Sequence, residues 1–240
     1  MNIKESDIIG EIVAKDYRAA SVFKNYSIDF CCNGNRSISD ACAEKGLSAN
    51  QILEELNQAF SESREQTIDF NSWPLDLLAD YIEKTHHRFT ESKISEIKPY
   101  LEKIVQVHGN RHPELFEISS IFNHSAGDLA MHMKKEELVL FPHIRKMVNA
   151  KESNGEIAPA HFGTVQNPIA MMMKEHDNEG ENFRKIRELS NGYATPEDGC
   201  NTYRVTLSLL EELEGDLHKH IHLENNILFP KAIEMEKELN

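Results

Sequence analysis

One pattern, His-x-x-x-Glu-x-x-x-Leu-Phe-Pro, is written twice in this chain, from His132 to Pro142 and from His220 to Pro230. On a helix its histidine and glutamate lie one turn apart on the same face, where both side chains reach a single point. That is a metal-ligand spacing, and it demands a fold that brings two such helices face to face. Two nitrogen and two oxygen donors suit a pair of iron or manganese ions better than a soft-metal site.

The duplication extends beyond the motif. His87 lies 45 residues before His132, and His176 lies 44 residues before His220. The midpoints fall near Gly109-Asn110 and Asp198-Gly199, both predicted turns. In an antiparallel helical hairpin, residues equidistant from the turn sit at the same height, so His87 faces His132 and His176 faces His220. Six ligands then converge at one level: His87, His132, Glu136, His176, His220 and Glu224. His86 is the alternative to His87, one residue and about 100° away around the helix, and the register favours His87.

Core phase sorts the remaining histidines among the twelve. Leu213, Leu217, His220, Glu224 and Leu228 form a three-four stripe, as do Phe122, Ser125, Leu129, His132, Glu136 and Leu140. Glu211, Glu214, His218, His222 and Asn225 make the polar stripe of the last helix, and His124 and Asp128 lie off the buried stripe of the second. His and Glu therefore stand where Leu is expected, and a buried carboxylate is costly unless it is paired or binds a metal. Glu136 and Glu224 are placed to bridge two cations about 3.5–4 Å apart. Zinc is disfavoured, since His-Glu-x-x-His is missing and structural zinc takes a closed four-ligand set. Ferritin-like sites use Glu-x-x-His, the reverse order at a different spacing.

The expected architecture is all-α in two parts. Residues 1–68 read as a small helical module, with Gly46 stopping one helix and Ser48-Ala-Asn-Gln51 capping the next. A turn-rich stretch, Asp29 to Ser37, holds the neighbours Cys31 and Cys32, and a linker is expected from about Ser61 to Trp73. Residues 69–240 read as a four-helix bundle: Pro74 to Gly109, Pro113 to about Met147, Pro168 to Leu189 and Thr202 to Leu239. The Leu-Phe-Pro tails are expected to pack the bundle end and terminate or kink their helices, and Met171-Met172-Met173 to pack the core. Glu175 is a candidate to orient a metal ligand, with a solvated helix-face glutamate as the competing reading. Cys42 and Cys200 carry no assigned role.

A formal net charge of −14 argues against nucleic acid and anionic lipid as partners. No apolar run approaches the roughly 20 residues of a membrane span. The N-terminus lacks the layout of a signal peptide, so a cytoplasmic protein with reduced thiols is expected.

These residues resemble the hemerythrin-like di-iron family. With Asp29-Phe-Cys31-Cys32-Asn-Gly, Val107-His108-Gly and Glu175-His176-Asp-Asn-Glu-Gly added, the chain resembles the iron-sulfur cluster repair proteins of that fold over nearly its whole length. The resemblance implies a hemerythrin-like bundle behind an N-terminal ScdA-type domain, holding two iron ions joined by an oxo or hydroxo bridge. It further implies a cytoplasmic homodimer acting under oxidative or nitrosative stress, with iron-sulfur proteins as clients and nitric oxide or dioxygen as small-molecule partners. Iron donation, a carrier or sensor of these gases, and a nitric oxide reductase are the functions it leaves open. It adds Cys31 and Cys32 as iron-transfer or redox thiols, since adjacent cysteines form a mutual disulfide only with strain. It also adds His108 as a ligand, to which geometry objects: on a continuous helix His108 stands about 31 Å from His87.

Overall fold

The computed structural model describes residues 3–62 and 68–239, and every regular element among them is helical. Four short helices form the N-terminal module: α1 (Ile9–Lys15), α2 (Ala19–Asn25), α3 (Ile38–Lys45) and α4 (Ala49–Glu62). Ser37 caps α3 by accepting the Asp40 N–H, and Gly46 closes it at φ 65°, the left-handed conformation that suits glycine. Ile9, Phe23, Ile38, Ile52 and Leu56 are fully buried and give the module its own core. The expected linker falls partly on residues 63–67, outside the described residues.

Four helical rods follow. The first joins α5 (Leu75–Tyr81) to α6 (Arg88–His108), and the second joins α7 (Glu114–Lys135) to α8 (Phe141–Ser153). The third is α9 (Gln166–Leu189), and the fourth joins α10 (Asn201–Leu223) to α11 (Phe229–Leu239). Helix α6 packs against α10 and α7, α7 against α9, and α9 against α10, which closes the bundle. Pro99 lies inside α6 without reversing it.

In each jointed rod the joint is a π turn: Ile82–His87, Glu136–Leu140 and Glu224–Leu228. There Phe141 N–H bonds the Glu136 carbonyl and Phe229 N–H bonds the Glu224 carbonyl, five residues back. Pro142 and Pro230 come next. Proline lacks an N–H and crowds the carbonyl four residues before it, and the wider turn carries the helix past that obstacle. The Leu-Phe-Pro tails therefore do not terminate their helices, which run on to Ser153 and Leu239.

Two apolar layers bracket the middle of the bundle. Leu129, Phe183 and Leu217 belong to the layer at the hairpin-turn end, and Ile82, Leu140, Met172 and Leu228 to the layer at the other. His132 and Glu136 thus fall between Leu129 and Leu140, and His220 and Glu224 between Leu217 and Leu228. Of the methionine run only Met172 packs inside, while Met171 and Met173 are exposed.

Most of the polar stripe on the last rod does not face solvent, although Glu211 does. His222 and Asn225 are buried under the N-terminal module, and Glu214 is buried against Arg187 of α9. Phe30 sits 6.0 Å from both His218 and His222, and Tyr17 sits 5.8 Å from His222. Asn226 donates to the Phe30 carbonyl at 3.2 Å, and Gly10 lets α1 approach so closely that a Cβ there would strike the Asn226 amide. Among the described residues no helix is long and apolar enough to cross a membrane.

Candidate metal centre

The six expected ligands meet in the bundle interior, all at most 4% exposed. They form two overlapping groups, His87–Glu136–His220–Glu224 and His132–Glu136–His176–Glu224, each with its ligand atoms within 4.8 Å of one another. Both glutamates belong to both groups. The Nε2 atoms of His87 and His132 each lie 3.3 Å from Glu136 Oε2. On the opposite side, His176 Nε2 lies 3.2 Å from Glu224 Oε2, and His220 Nε2 lies 3.1 Å from Glu224 Oε1.

Burial and opposite charges compete in the cluster. Burial and the neighbouring Glu224 both push the Glu136 carboxyl up, and His132 and His87 more than offset them, leaving it below the ordinary range. For His132 burial opposes the charge, yet Glu136 and Glu175 hold the imidazole up to about 10. His220 goes the other way, lowered by burial. Both oxygens of Glu136, one of Glu224 and Nε2 of His87 nevertheless lack a well-directed hydrogen bond, and an unpaired buried polar atom costs about 1–3 kcal/mol. His132 Nε2 and His176 Nε2 stand 3.1 Å apart. Two nitrogens bound at about 2.1 Å and a right angle to one cation lie about 3.0 Å apart, so the inward atoms fit a bound cation.

Outward partners fix the rings. Nδ1 of His87 meets Glu137 at 3.1 Å, Nδ1 of His132 meets Glu175 Oε2 at 2.8 Å, and Nδ1 of His176 meets Asn225 at 2.9 Å. A proton on each Nδ1 points outward to oxygen and leaves the Nε2 lone pair directed inward, the tautomer a metal needs. Glu175, brought down to about 2 by its hydrogen bond from His132, thus supports His132 on the neighbouring helix rather than the adjacent His176. Below the rings, Phe141 stacks on His87 at 5.6 Å and Phe229 on His176 at 6.0 Å. Sequence reasoning missed Glu137, Asn225 and both phenylalanines. The signal was present, because each occupies the same place in both copies of the motif and serves the first histidine of its own half.

The fourth histidine breaks the symmetry. Among the described residues, Nδ1 of His220 is buried with no hydrogen-bond partner, and the position equivalent to Glu175 is His86. His86 stacks on His220 at 5.8 Å and turns its own Nδ1 to Asp216 at 2.9 Å, so it stands beside the cluster and not in it. His222 bonds Asn226 and His218 packs on Phe30, both outside the two groups. His108 lies at the far end of α6, against Tyr203 and His112. Cys31 and Cys32 form a third, smaller group with Asp29, and the Cys32 thiol reaches the His176 carbonyl at 3.5 Å.

Comparison with known proteins agrees with this geometry. Residues 78–232 match the hemerythrin HHE cation-binding domain, and residues 5–60 match ScdA_N, a domain of unknown function. The iron-sulfur cluster repair protein YtfE of Pectobacterium atrosepticum is 34% identical over 233 residues, 94% of this chain and 96% of the relative. ScdA of Staphylococcus haemolyticus, also named an iron-sulfur cluster repair protein, is 30% identical across 95% of this chain and 99% of its own. YtfE of Escherichia coli O81 is 30% identical across 94% and 96%.

Proposed function

Since the chain belongs to the hemerythrin HHE family, and within it to the iron-sulfur cluster repair proteins, we propose that its His/Glu cluster holds two iron ions and that the protein repairs damaged iron-sulfur clusters by supplying iron. The observation that supports this reading is the sharing of Glu136 and Glu224 by both four-residue groups, as two carboxylates that bridge two cations would be shared. His87 and His220 would complete one position, His132 and His176 the other. Bound iron supplies reversible one-electron chemistry and affinity for diatomic gases such as nitric oxide and dioxygen. The protein holds the Nε2 atoms of His87, His132 and His176 inward through Glu137, Glu175 and Asn225, and the apolar layers on either side keep water from the carboxylates.

Donation is favoured over simple carriage by the N-terminal module, whose Cys31–Cys32 pair sits on the helix that bears His176. Such a module adds nothing to a gas carrier. Its thiols, with Asp29, form a second set of donors next to the first. A cytoplasmic setting with iron-sulfur proteins as clients follows from this reading.

The test begins with anaerobic isolation, where about two irons per chain are expected. The iron-loaded protein is then incubated with an apo iron-sulfur protein, and cluster assembly is followed by visible absorbance and circular dichroism. Transfer that is lost in a Cys31→Ser/Cys32→Ser double variant supports assisted donation. Retention of iron beside a fully apo acceptor, with nitrous oxide formed from nitric oxide and an electron donor, would replace donation with nitric oxide reduction.

A further inference from the structure

A cleft of about 330 Å3 opens where the N-terminal module meets the bundle, and none of the six cluster residues lies in its wall. Lys24, Phe30 and Lys45 line it from the module, and Arg184, Glu188 and His218 line it from α9 and α10. Its volume falls at the small end of ligand pockets, which span roughly 300–1,000 Å3. Lys24, Lys45 and Glu188 are exposed, and none of the three has an ion-pair partner among the described residues. His218 packs edge-on to Phe30 at 6.0 Å and hydrogen-bonds to nothing among those residues. We propose that this cleft is a binding site for a small zwitterion of the short-peptide class, with more carboxylates than ammonium groups, seated between the module and the bundle.

The other charges in the wall are already engaged. Arg187 donates to Glu214 at 3.1 Å and lies over the Tyr193 ring, and Arg184 pairs with Glu181. Asp29 accepts from the backbone N–H groups of Cys31 and Cys32 and from the Asn33 amide, each at 3.0 Å. Two ammonium groups and one carboxylate are left over, the complement of two carboxylates and one ammonium. A simple anion would meet Glu188 as well as the lysines, and a polyamine would meet Lys24 and Lys45. Ile28 and Phe30 add an apolar stretch of wall. Burial lowers the His218 imidazole, and Lys24 adds to the effect. A neutral ring donates at one nitrogen and accepts at the other, which suits a peptide group.

Because the wall belongs to both bodies, an occupant holds them together. A ligand that binds only the docked arrangement suppresses opening by the factor 1 + [L]/Kd, about 11-fold at ten times Kd. Ile28, Asp29, Phe30 and Cys31 all contribute to the wall, so the occupant bears directly on the loop that carries the cysteine pair.

The test uses the full chain and S-methylglutathione, a tripeptide with two carboxylates, one ammonium and no free thiol to react with iron or cysteine. Titration calorimetry is expected to show a single site per chain, and hydrogen exchange in residues 24–31 to slow about 11-fold at ten times Kd. Lys24→Ala and Lys45→Ala should each weaken binding about fivefold, and Glu188→Gln by a similar factor. These side chains are exposed, so the variants keep the fold, which circular dichroism checks. Inorganic phosphate and spermidine are the single-sign controls. Absence of saturable tripeptide binding, tighter binding of either control, or an affinity that the lysine variants leave unchanged overturns the proposal. Stronger tripeptide binding in Glu188→Gln overturns it as well, because the cleft would then be a simple anion site.

Discussion

Replacing Glu175 with alanine should separate the two proposed metal positions by their supports. Glu175 accepts from His132 Nδ1 at 2.8 Å and also pairs with Lys135, whereas His220 Nδ1 has no hydrogen-bond partner among the described residues. Loss of an outer partner of a ligating histidine costs about 10–100-fold in metal affinity, equivalent to about 1.4–2.7 kcal/mol. The position built on His87 and His220 therefore starts with a deficit of that order relative to the position built on His132 and His176. In the native protein, a ferrous chelator added anaerobically in a stopped-flow instrument should remove iron in two phases, with the His87–His220 ion leaving first. In Glu175→Ala the slow phase should accelerate 10–100-fold and approach the fast one, which itself stays nearly constant. Alanine is the best helix former, so α9 is not weakened by the change. A single phase in the native protein, or equal acceleration of both phases, would falsify the assignment of unequal support.

Three further outcomes follow from the geometry. Glu136→Gln removes a carboxylate shared by both positions, so both ions should be lost together; at free iron 100-fold above Kd each ion adds about 2.7 kcal/mol, and stripping both should lower Tm by roughly 10 °C or more by calorimetry. Gly10→Ala puts a Cβ against the Asn226 amide and should cost about 1–3 kcal/mol of module docking, read as faster hydrogen exchange in residues 9–34 with bundle melting unchanged; unchanged exchange refutes the contact. His112 is raised above 6.5 by its hydrogen bond with Asp198 and by Glu114, so the stabilisation is complete below about 6.5 and disappears as pH rises through the folded value. Proton NMR should place its titration above 6.5, and an Asp198→Asn variant that leaves it there counts against the pairing.

The six-residue cluster was legible because two periodicities reinforce each other: the four-residue step within each helix and the mirrored distances about each hairpin turn. Neither depends on where the backbone departs from ideal α geometry. The π turns were not legible, since a 3.6-residue reading has no place for an extra residue. Yet Pro142 and Pro230 mark two of them, and the chain absorbs the missing N–H by widening rather than stopping. The burial of His222 and Asn225 was hidden for another reason. A polar stripe predicts solvent only if nothing else covers it, and α10 alone carries no sign that Tyr17 and Phe30 will. His108 stands where the helix rise puts it, at the turn end.

The two halves diverge where the module docks, and the divergence has a chemical reason. After the shared glutamate, the first copy carries Glu137, which accepts from His87 and from Arg88 at 3.0 Å. The second carries Asn225, which accepts from His176 through Oδ1 and donates through Nδ2 to the Cys31 carbonyl at 3.2 Å. A carboxylate serves the first purpose and fails the second, because it has no proton to give. Asn225→Asp should therefore keep His176 oriented and preserve iron affinity while setting two acceptors against each other at Cys31, a loss of about 1–3 kcal/mol in docking. Chelator competition reads the first quantity and hydrogen exchange at residues 28–34 reads the second. Weakened iron binding with undisturbed exchange would mean that the amide serves the metal position and not the module. The opposite pattern makes Asn225 the residue through which the cysteine loop is held against His176.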